Sequence, residues 1–276
     1  MADITIREST NAIPKTKPPP KLSAIRVPFV YNPSDDGTDE NLLILLHGLG
    51  DTQIPFGKLG AQLHLPQTAT LALRAPQQIP FLYEEAYEWY TSFDPLGELL
   101  DRPNPTPALD LVDKVVEHLT RDCAWPASRI HFFGFAQGGS VAAELALRHW
   151  RSELSRQSKA LPSSSSSSAV APPPPTALGS VVSIGGPLLS YPTLSTLCPT
   201  PILVFHRPAP SESALPSGAL AAMKKGFSRV EEVQKRGEGM PRSKDEFEPI
   251  MKFWSEHLGR RRMEGLYEVM SGMAPP

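Results

Sequence analysis

The apolar residues of this chain occur in short runs that are separated by longer amphipathic segments. Runs of this length predict strands, most of them buried on both faces of a sheet: Ala24–Val30, Leu42–Leu46, Ala69–Leu73, Ile130–Phe133, Val181–Ile184, Ile202–Phe205 and Ser228–Gln234. The amphipathic segments predict helices: Pro55–Leu63, Ala108–Arg121, Gly138–Arg151, Gly218–Lys225 and Asp245–Leu258. Alternating strands and helices predict an α/β fold, with a mostly parallel, doubly wound sheet and helices on both faces. A site in such a fold lies beyond the carboxyl ends of the strands.

Proline marks the segments that do not fit this pattern. The chain has 31 prolines, about twice the usual share. Pro14–Pro20 predicts an extended leader, and the stretch from Ser163 to Pro175 has too few apolar groups to offset the entropy of ordering it. These segments divide the chain into a disordered Pro-rich leader at 1–23, a domain at 24–258 with a low-complexity Ser/Pro insertion at about 157–176, and a C-terminal tail at 259–276.

Composition narrows the class of protein. The formal net charge is −2, so no concentrated basic face predicts a nucleic acid or an anionic membrane as partner. No signal peptide and no run of about 18 apolar residues occurs, and we expect a cytoplasmic protein without a membrane span. Cys123 and Cys198 predict free thiols. No metal-ligand spacing, phosphate loop or dinucleotide fingerprint occurs, so neither a metal nor a cofactor is expected.

One turn between a predicted strand and a predicted helix has the spacing of a nucleophile elbow. Residues 129–140 have the sequence Arg-Ile-His-Phe-Phe-Gly-Phe-Ala-Gln-Gly-Gly-Ser, in which Gly134 and Gly138 flank Ala136. In hydrolases with such an elbow, the central residue is a serine on a strained turn. A methyl group cannot attack a carbonyl carbon. The elbow therefore indicates either a hydrolase that uses another residue or a hydrolase scaffold with a different task.

Several further segments resemble one protein family in their order and in their positions at strand ends. They are Leu45–Asp51 (Leu-Leu-His-Gly-Leu-Gly-Asp), Arg74–Pro76 with Glu88–Tyr90 and Phe93–Asp94, the elbow, and Val182–Pro187. Over about residues 40–258 the chain resembles the phospholipase/carboxylesterase branch of the α/β-hydrolases, which includes the acyl-protein thioesterases. The resemblance implies an α/β-hydrolase fold and, in the family, hydrolysis of esters or thioesters by a Ser, Asp, His triad.

At the triad positions that the resemblance implies, the nucleophile and the base are replaced by residues without the required chemistry, and Glu212 is the one carboxylate near the acid position. The nucleophile position is Ala136. The family's acid follows a strand in a His-Gly-x-x-Asp-type turn, where this chain has Pro210 or Glu212 in a longer, proline-containing turn. The family's base lies in a Gly-Met-x-His-Ser-type turn, where this chain has Arg242, which cannot accept a proton. Because triad residues act as a unit, these substitutions predict a catalytically deficient protein.

Backbone groups of such a site do not depend on the lost side chains. The resemblance implies that the amides of Leu49 and Gln137 form an oxyanion hole, which could hold an acyl or ester ligand without catalysis. The alternative is that the glycines around them persist only because the turns need glycine.

Further side chains are candidates for lining the pocket. His47 lies beside a glycine turn, where hydrogen bonds that order the loop are expected. Trp89 and Asp94 match a family segment that lines the site, and core packing explains them as well. Ser140 lies one helical turn beyond Ala136, where a hydroxyl is expected to contact its own helix backbone.

The sequence thus supports three functional hypotheses. The first is a catalytically deficient hydrolase that acts by binding an acyl-type ligand or a protein. The second is an active carboxylesterase or thioesterase with an unorthodox site, such as Ser140 with His47. The third is an interaction protein that presents Pro14–Pro20 and Pro172–Pro175 as extended segments to a protein partner.

Overall fold

The computed structural model describes residues 4–8, 15–80, 84–160, 174–261 and 267–271. The strands are β1 (Ile4–Glu8), β2 (Phe29–Asn32), β3 (Asn41–Leu46), β4 (Thr68–Leu73), β5 (Gln77–Gln78), β6 (Tyr87–Glu88), β7 (Ile130–Phe135), β8 (Ser180–Ile184), β9 (Ile202–His206), β10 (Val230–Gln234) and β11 (Tyr267–Ser271). The helices are α1 (Gln53–Gln62), α2 (Thr106–Arg121), α3 (Gln137–Ala160), α4 (Ala219–Gly226) and α5 (Lys244–His257). Within these described ranges, no helix combines the length and the apolar character that crossing a bilayer requires.

One sheet of seven strands forms the centre of the structure, in the order β10-β9-β8-β7-β3-β4-β2. Its strands pair in parallel except for β2, which lies antiparallel to β4 at one edge. The predicted mostly parallel sheet is therefore confirmed. Every residue of β3, β4, β8 and β9 is buried, which explains why their sequences are short and largely apolar.

Helices cover both faces of the sheet, as predicted. Alternate residues of β3 point to opposite sides: Leu42, Ile44 and Leu46 join the core formed with α2 and α3, whereas Leu43 and Leu45 join the core formed with α1 and α5. The two helical layers exclude water from both sides of the central strands. This arrangement leaves the strand ends as the places where loops can form a site.

Two elements differ in extent from the sequence prediction. The strand predicted at Ala24–Val30 begins only at Phe29, because residues 24 and 25 both donate backbone hydrogen bonds to the Lys21 carbonyl in a turn. Helix α3 continues past the predicted end at Arg151 as far as Ala160, and it thereby includes the start of the predicted Ser/Pro insertion. Most of that insertion, residues 161–173, lies outside the described residues.

The leader predicted to be disordered over 1–23 is ordered in its last part. The Lys17 backbone N–H donates to Asp39 Oδ2 at 2.8 Å, and its Nζ donates to the Ala124 carbonyl at 2.6 Å. The Lys21 N–H donates to His118 Nε2 at 3.1 Å. Charged and backbone groups thus hold residues 15–23 on the domain, which apolar content alone did not indicate. In addition, β1 pairs antiparallel with β11 of the predicted tail, while residues 1–3 and 9–14 lie outside the described part.

Candidate functional site

The elbow after β7 keeps the backbone conformation of a nucleophile turn. Ala136 has φ +47°, in the left-handed region that residues with a Cβ rarely adopt. Its N–H donates to the Ile184 carbonyl of β8 at 2.8 Å. Pairing of Leu46 with Gly134 and of Phe135 with Ile184 brings the carboxyl ends of β3, β7 and β8 to this turn. The turn therefore presents a methyl group at the point where these strands end.

The elbow is also packed too tightly for side chains at its glycines. A Cβ at Gly138 would lie 2.3 Å from the Leu46 carbonyl oxygen and 2.6 Å from that of His47. Both neighbours are backbone atoms, which cannot move without shifting β3. The start of α3 is thus pressed directly against the end of β3, and only glycine permits that approach.

Gln137, the first residue of α3, holds a neighbouring loop. Its buried side chain accepts a hydrogen bond from the Trp89 N–H at 2.9 Å and donates to the Tyr90 carbonyl and to Ser92 Oγ, both at 2.8 Å. Its backbone N–H, like that of Leu49, donates to no other described residue. Neither predicted oxyanion-hole amide thus has a hydrogen-bond partner among the described residues, and Leu49 is 40 % exposed.

His47 serves the loop that follows it. The imidazole is fully buried, with Nδ1 2.7 Å from the Gly48 carbonyl and Nε2 accepting from the Ala75 N–H at 3.0 Å. An Nε2 that accepts places the proton on Nδ1, which donates to Gly48. Burial lowers the pKa of His47, so the ring is neutral. Both nitrogens are occupied, and neither is available as a general base.

The remaining pocket candidates have structural contacts of their own. Trp89 is fully buried, and its Nε1 donates to the His47 carbonyl at 2.8 Å. Asp94 Oδ1 accepts from the N–H groups of Leu96 and Glu98 at 2.8 and 2.9 Å, so it shapes its own turn. Ser140 is fully buried, and its Oγ has no hydrogen-bond partner among the described residues. The structure does not join Ser140 to His47 as a nucleophile and base.

The predicted acid and base positions lie at the surface. Pro210 and Glu212 belong to the loop after β9, and the Glu212 side chain is exposed. Arg242 is also exposed and precedes Ser243, the N-cap of α5. Neither the Glu212 nor the Arg242 side chain forms an ion pair within the described part of the chain. Among the described residues, neither side chain hydrogen-bonds to the elbow at residues 134–140.

A buried arginine links the two loops that contain these positions. Arg207 directly follows β9 and is 1 % exposed. Its guanidinium donates to the backbone carbonyls of Arg236, Gly239 and Met240, at 2.8 to 3.3 Å, and pairs with the Glu246 carboxylate in α5. These contacts fix residues 236–240 beside the turn after β9. Sequence reasoning missed Arg207, although a charged residue two positions after the buried run Ile202–Phe205 was a usable signal.

Glu246 completes this ion pair and begins a helix. Its side chain accepts from the backbone N–H groups of Arg242 and Ser243, and Ser243 Oγ accepts from the Glu246 N–H at 3.3 Å in a capping box. The pKa of Glu246 is lowered to about 2, and the main cause is its hydrogen bond with the Arg207 guanidinium. The Ser-x-x-Glu spacing before an apolar run was also visible in the sequence.

Comparison with known sequences points to one family. The model of the Phospholipase/Carboxylesterase family matches residues 27–156. A protein of Mycosarcoma maydis named as an uncharacterized hydrolase is 39% identical over 238 residues, which cover 84% of this chain and 82% of the relative. A second such hydrolase, from Schizosaccharomyces pombe, is 32% identical over 114 residues, 39% of this chain and 47% of that protein.

Solved structures agree with the architecture. Esterase PE8 superimposes with a TM-score of 0.63 at 20% identity, covering 84% of this chain and 98% of its own. Acyl-protein thioesterase 2 of Zea mays gives a TM-score of 0.62 at 21% identity, covering 84% of this chain and 100% of its own. At these identities the matches show the fold alone, which is the α/β-hydrolase fold.

The contact between α3 and β3 leads to a prediction for Gly138→Ala. The added methyl meets backbone atoms of Leu46 and His47, so we expect a loss of about 3 kcal/mol in the free energy of unfolding. Gly97→Ala is the matched control, because Gly97 has φ +83° but nothing within 4 Å of the new Cβ; its expected cost is about 1–2 kcal/mol. Urea unfolding followed by circular dichroism measures both, and equal losses would contradict the packing argument.

The Arg207–Glu246 pair leads to a prediction about pH. At pH 7, Glu246→Gln is expected to lower the free energy of unfolding by about 3 kcal/mol. This value is at the lower end of the range for breaking a buried ion pair, because Arg207 still donates to three backbone carbonyls in the variant. The folded-state pKa of about 2 lies below the usual value of about 4.3. The stabilisation is therefore complete above about pH 5 and declines as the pH falls towards 2.

Urea unfolding of both proteins between pH 3 and pH 7 measures this dependence. The difference between wild type and Glu246→Gln should narrow below about pH 4. Glu248→Gln, an exposed substitution in the same helix, is the control and should leave the pH profile unchanged. A difference that stays constant over the whole range would refute the assignment.

Proposed function

Since the chain belongs to the phospholipase/carboxylesterase family of α/β-hydrolases, we propose that it is a catalytically deficient member that acts by binding. The observation behind this proposal is Ala136. It adopts the left-handed conformation of the nucleophile position, yet its methyl group can neither attack a carbonyl nor donate a proton. The turn is kept in a form that no longer serves covalent catalysis.

The surroundings of Ala136 support the same proposal. A substitute hydroxyl would need a base, and His47, the partner in the unorthodox pair with Ser140, has both nitrogens engaged in backbone hydrogen bonds. Ser140 is fully buried in α3, away from any substrate that arrives from solvent. In a serine hydrolase, loss of the whole triad costs on the order of 10⁶ in kcat. Binding therefore accounts for the retained elbow better than an unorthodox hydrolase does.

The free amides of Leu49 and Gln137 favour a ligand with a carbonyl or carboxylate oxygen. Both N–H groups lack a described partner, and Gln137 opens α3, a helix of 24 residues. The positive end of a helix dipole stabilises a negative or polarised oxygen. These groups would hold the polar end of an acyl-type ligand above Ala136.

Residues 92–100 form an exposed apolar hairpin beside Gln137. Its apolar side chains suit the hydrocarbon part of an acyl-type ligand. Gln137 holds the hairpin through Ser92, and residues 93 and 99 pair across it. Leu96 and Leu99 are 86% and 74% exposed, and Phe93 is 44% exposed. Large apolar side chains clustered at the surface mark a surface that binds a ligand or a protein. We propose an acyl-type small molecule as the occupant.

We also propose a cytoplasmic setting, which the free thiols of Cys123 and Cys198 support.

The absence of catalysis is tested with p-nitrophenyl butyrate and a fluorophosphonate serine probe. Wild type should turn over no more substrate than a heat-denatured sample, and Ser140 should stay unlabelled. Ala136→Ser alone should raise turnover less than tenfold, since the new hydroxyl still lacks a base. Only a variant that adds Pro210→Asp and Arg242→His supplies the complete set of groups. Strong turnover by wild type or by the single variant would show that a base exists and would overturn the proposal.

The binding surface is tested with octanoate as the probe. Calorimetric titration should show binding to wild type, and Leu96→Ser combined with Leu99→Ser should weaken it at least fivefold, because less apolar surface is buried. Leu22→Ser is the matched control, since Leu22 is 70% exposed but belongs to the leader segment. Equal affinity in all three proteins would exclude the hairpin from the binding site.

A further inference from the structure

Three metal-ligating side chains meet at the end of α5 that is opposite to the elbow. Glu231 lies on β10, and Glu256 with His257 closes α5. One ligand atom from each lies within 4.8 Å of the other two, and His257 Nε2 is 3.8 Å from Glu231 Oε1. We propose that Glu231, Glu256 and His257 form a binding site for a divalent transition-metal ion of the zinc type. This inference is independent of the proposed function.

The His257 ring is mostly buried and held in one position. Only 11% of the side chain is exposed, and Nε2 is buried without a hydrogen-bond partner among the described residues. A buried polar atom without a hydrogen bond destabilises the folded state. The ring is also held in place, because it packs edge-on against Phe253 with centroids 4.5 Å apart. A metal ion would satisfy Nε2 without any change in the ring's position.

The spacing of the ligand atoms fits a small tetrahedral ion. Zinc bonds to nitrogen and oxygen of about 2.0–2.2 Å place neighbouring ligand atoms about 3.4 Å apart. The observed distance of 3.8 Å between His257 Nε2 and Glu231 Oε1 needs only a small movement of an exposed glutamate. Glu256 is exposed as well, so its carboxylate can rotate inwards. The fourth position would be taken by water, as in sites with three protein ligands.

The local charge also favours a cation. The last turn of α5 directs its free carbonyls and the negative end of its dipole towards this cluster. Neither Glu231 nor Glu256 pairs with a lysine or arginine among the residues that the structure describes. The guanidinium of Arg129 also lies in this region, in the space beside Gly259.

The donor set separates zinc from the harder ions. An imidazole nitrogen suits zinc, copper or nickel, whereas magnesium and calcium prefer oxygen ligands alone. Because α5 is about 20 Å long, an ion here would not reach the elbow. It would instead tie the end of α5 to the edge strand β10, so its effect is expected on stability.

Calorimetric titration of the metal-stripped full-length protein with Zn²⁺ tests the site. We expect one ion per chain, a rise in the melting temperature with Zn²⁺, and affinity for Mg²⁺ and Ca²⁺ at least a hundredfold weaker. Glu231→Gln and His257→Gln should each weaken Zn²⁺ binding at least tenfold. Glu231 is exposed, so its variant is expected to fold even if the loss of His257 disturbs the helix.

His64→Gln is the matched control for binding at surface histidines. His64 is exposed and paired with Asp35 at 2.6 Å, which makes it the kind of group that binds zinc without a built site. Its substitution should leave the tight site unchanged. Absence of Zn²⁺ binding, equal affinity in Glu231→Gln, loss of binding in His64→Gln, or equal affinity for Ca²⁺ would each overturn the proposal.

Discussion

The close approach of α3 to the end of β3 is the constraint on which the candidate site depends. Gly138 faces the carbonyls of Leu46 and His47 at distances that exclude any side chain, and Ala136 must turn through left-handed backbone to begin the helix. Once the helix is placed, Gln137 reaches the loop at residues 89–92. Backbone contacts alone fix the positions of this turn and of the start of α3, so the identity of the side chain at residue 136 does not affect them. The elbow can therefore form with an alanine at its centre.

Two buried polar side chains, those of His47 and Arg207, hold backbone segments near the strand ends. His47 connects Gly48 to Ala75, and Arg207 connects the turn after β9 to residues 236–240. Each is buried, and a buried polar group is stable only when its hydrogen bonds are satisfied. Satisfying them leaves His47 no free atom for proton transfer. The proposal of a binding protein follows from this use of the polar groups as much as from Ala136.

Both ends of α5 have acidic groups beside them, but the helix dipole favours acidic groups only at its first turn. Glu246 in the first turn lies at the positive end of the helix dipole and pairs with Arg207, while Glu231, Glu256 and His257 gather at the negative end. Acidic groups stabilise a helix start, and cations stabilise a helix end. A bound zinc ion would supply at the second end what the carboxylate supplies at the first. The helix would then be held at both ends to the sheet edge that β9 and β10 form.

The sequence by itself determined the sheet, the position of the elbow and the alanine at its centre, because these depend on local patterns. Continuous apolar runs predict buried strands, and glycine spacing predicts a tight turn around Ala136. Tertiary structure alone decided that Arg207 would be buried and that Glu231 would meet His257. Those outcomes depend on which strands pair and where a helix ends, and residues far apart in the chain share a site only after the sheet has brought them together.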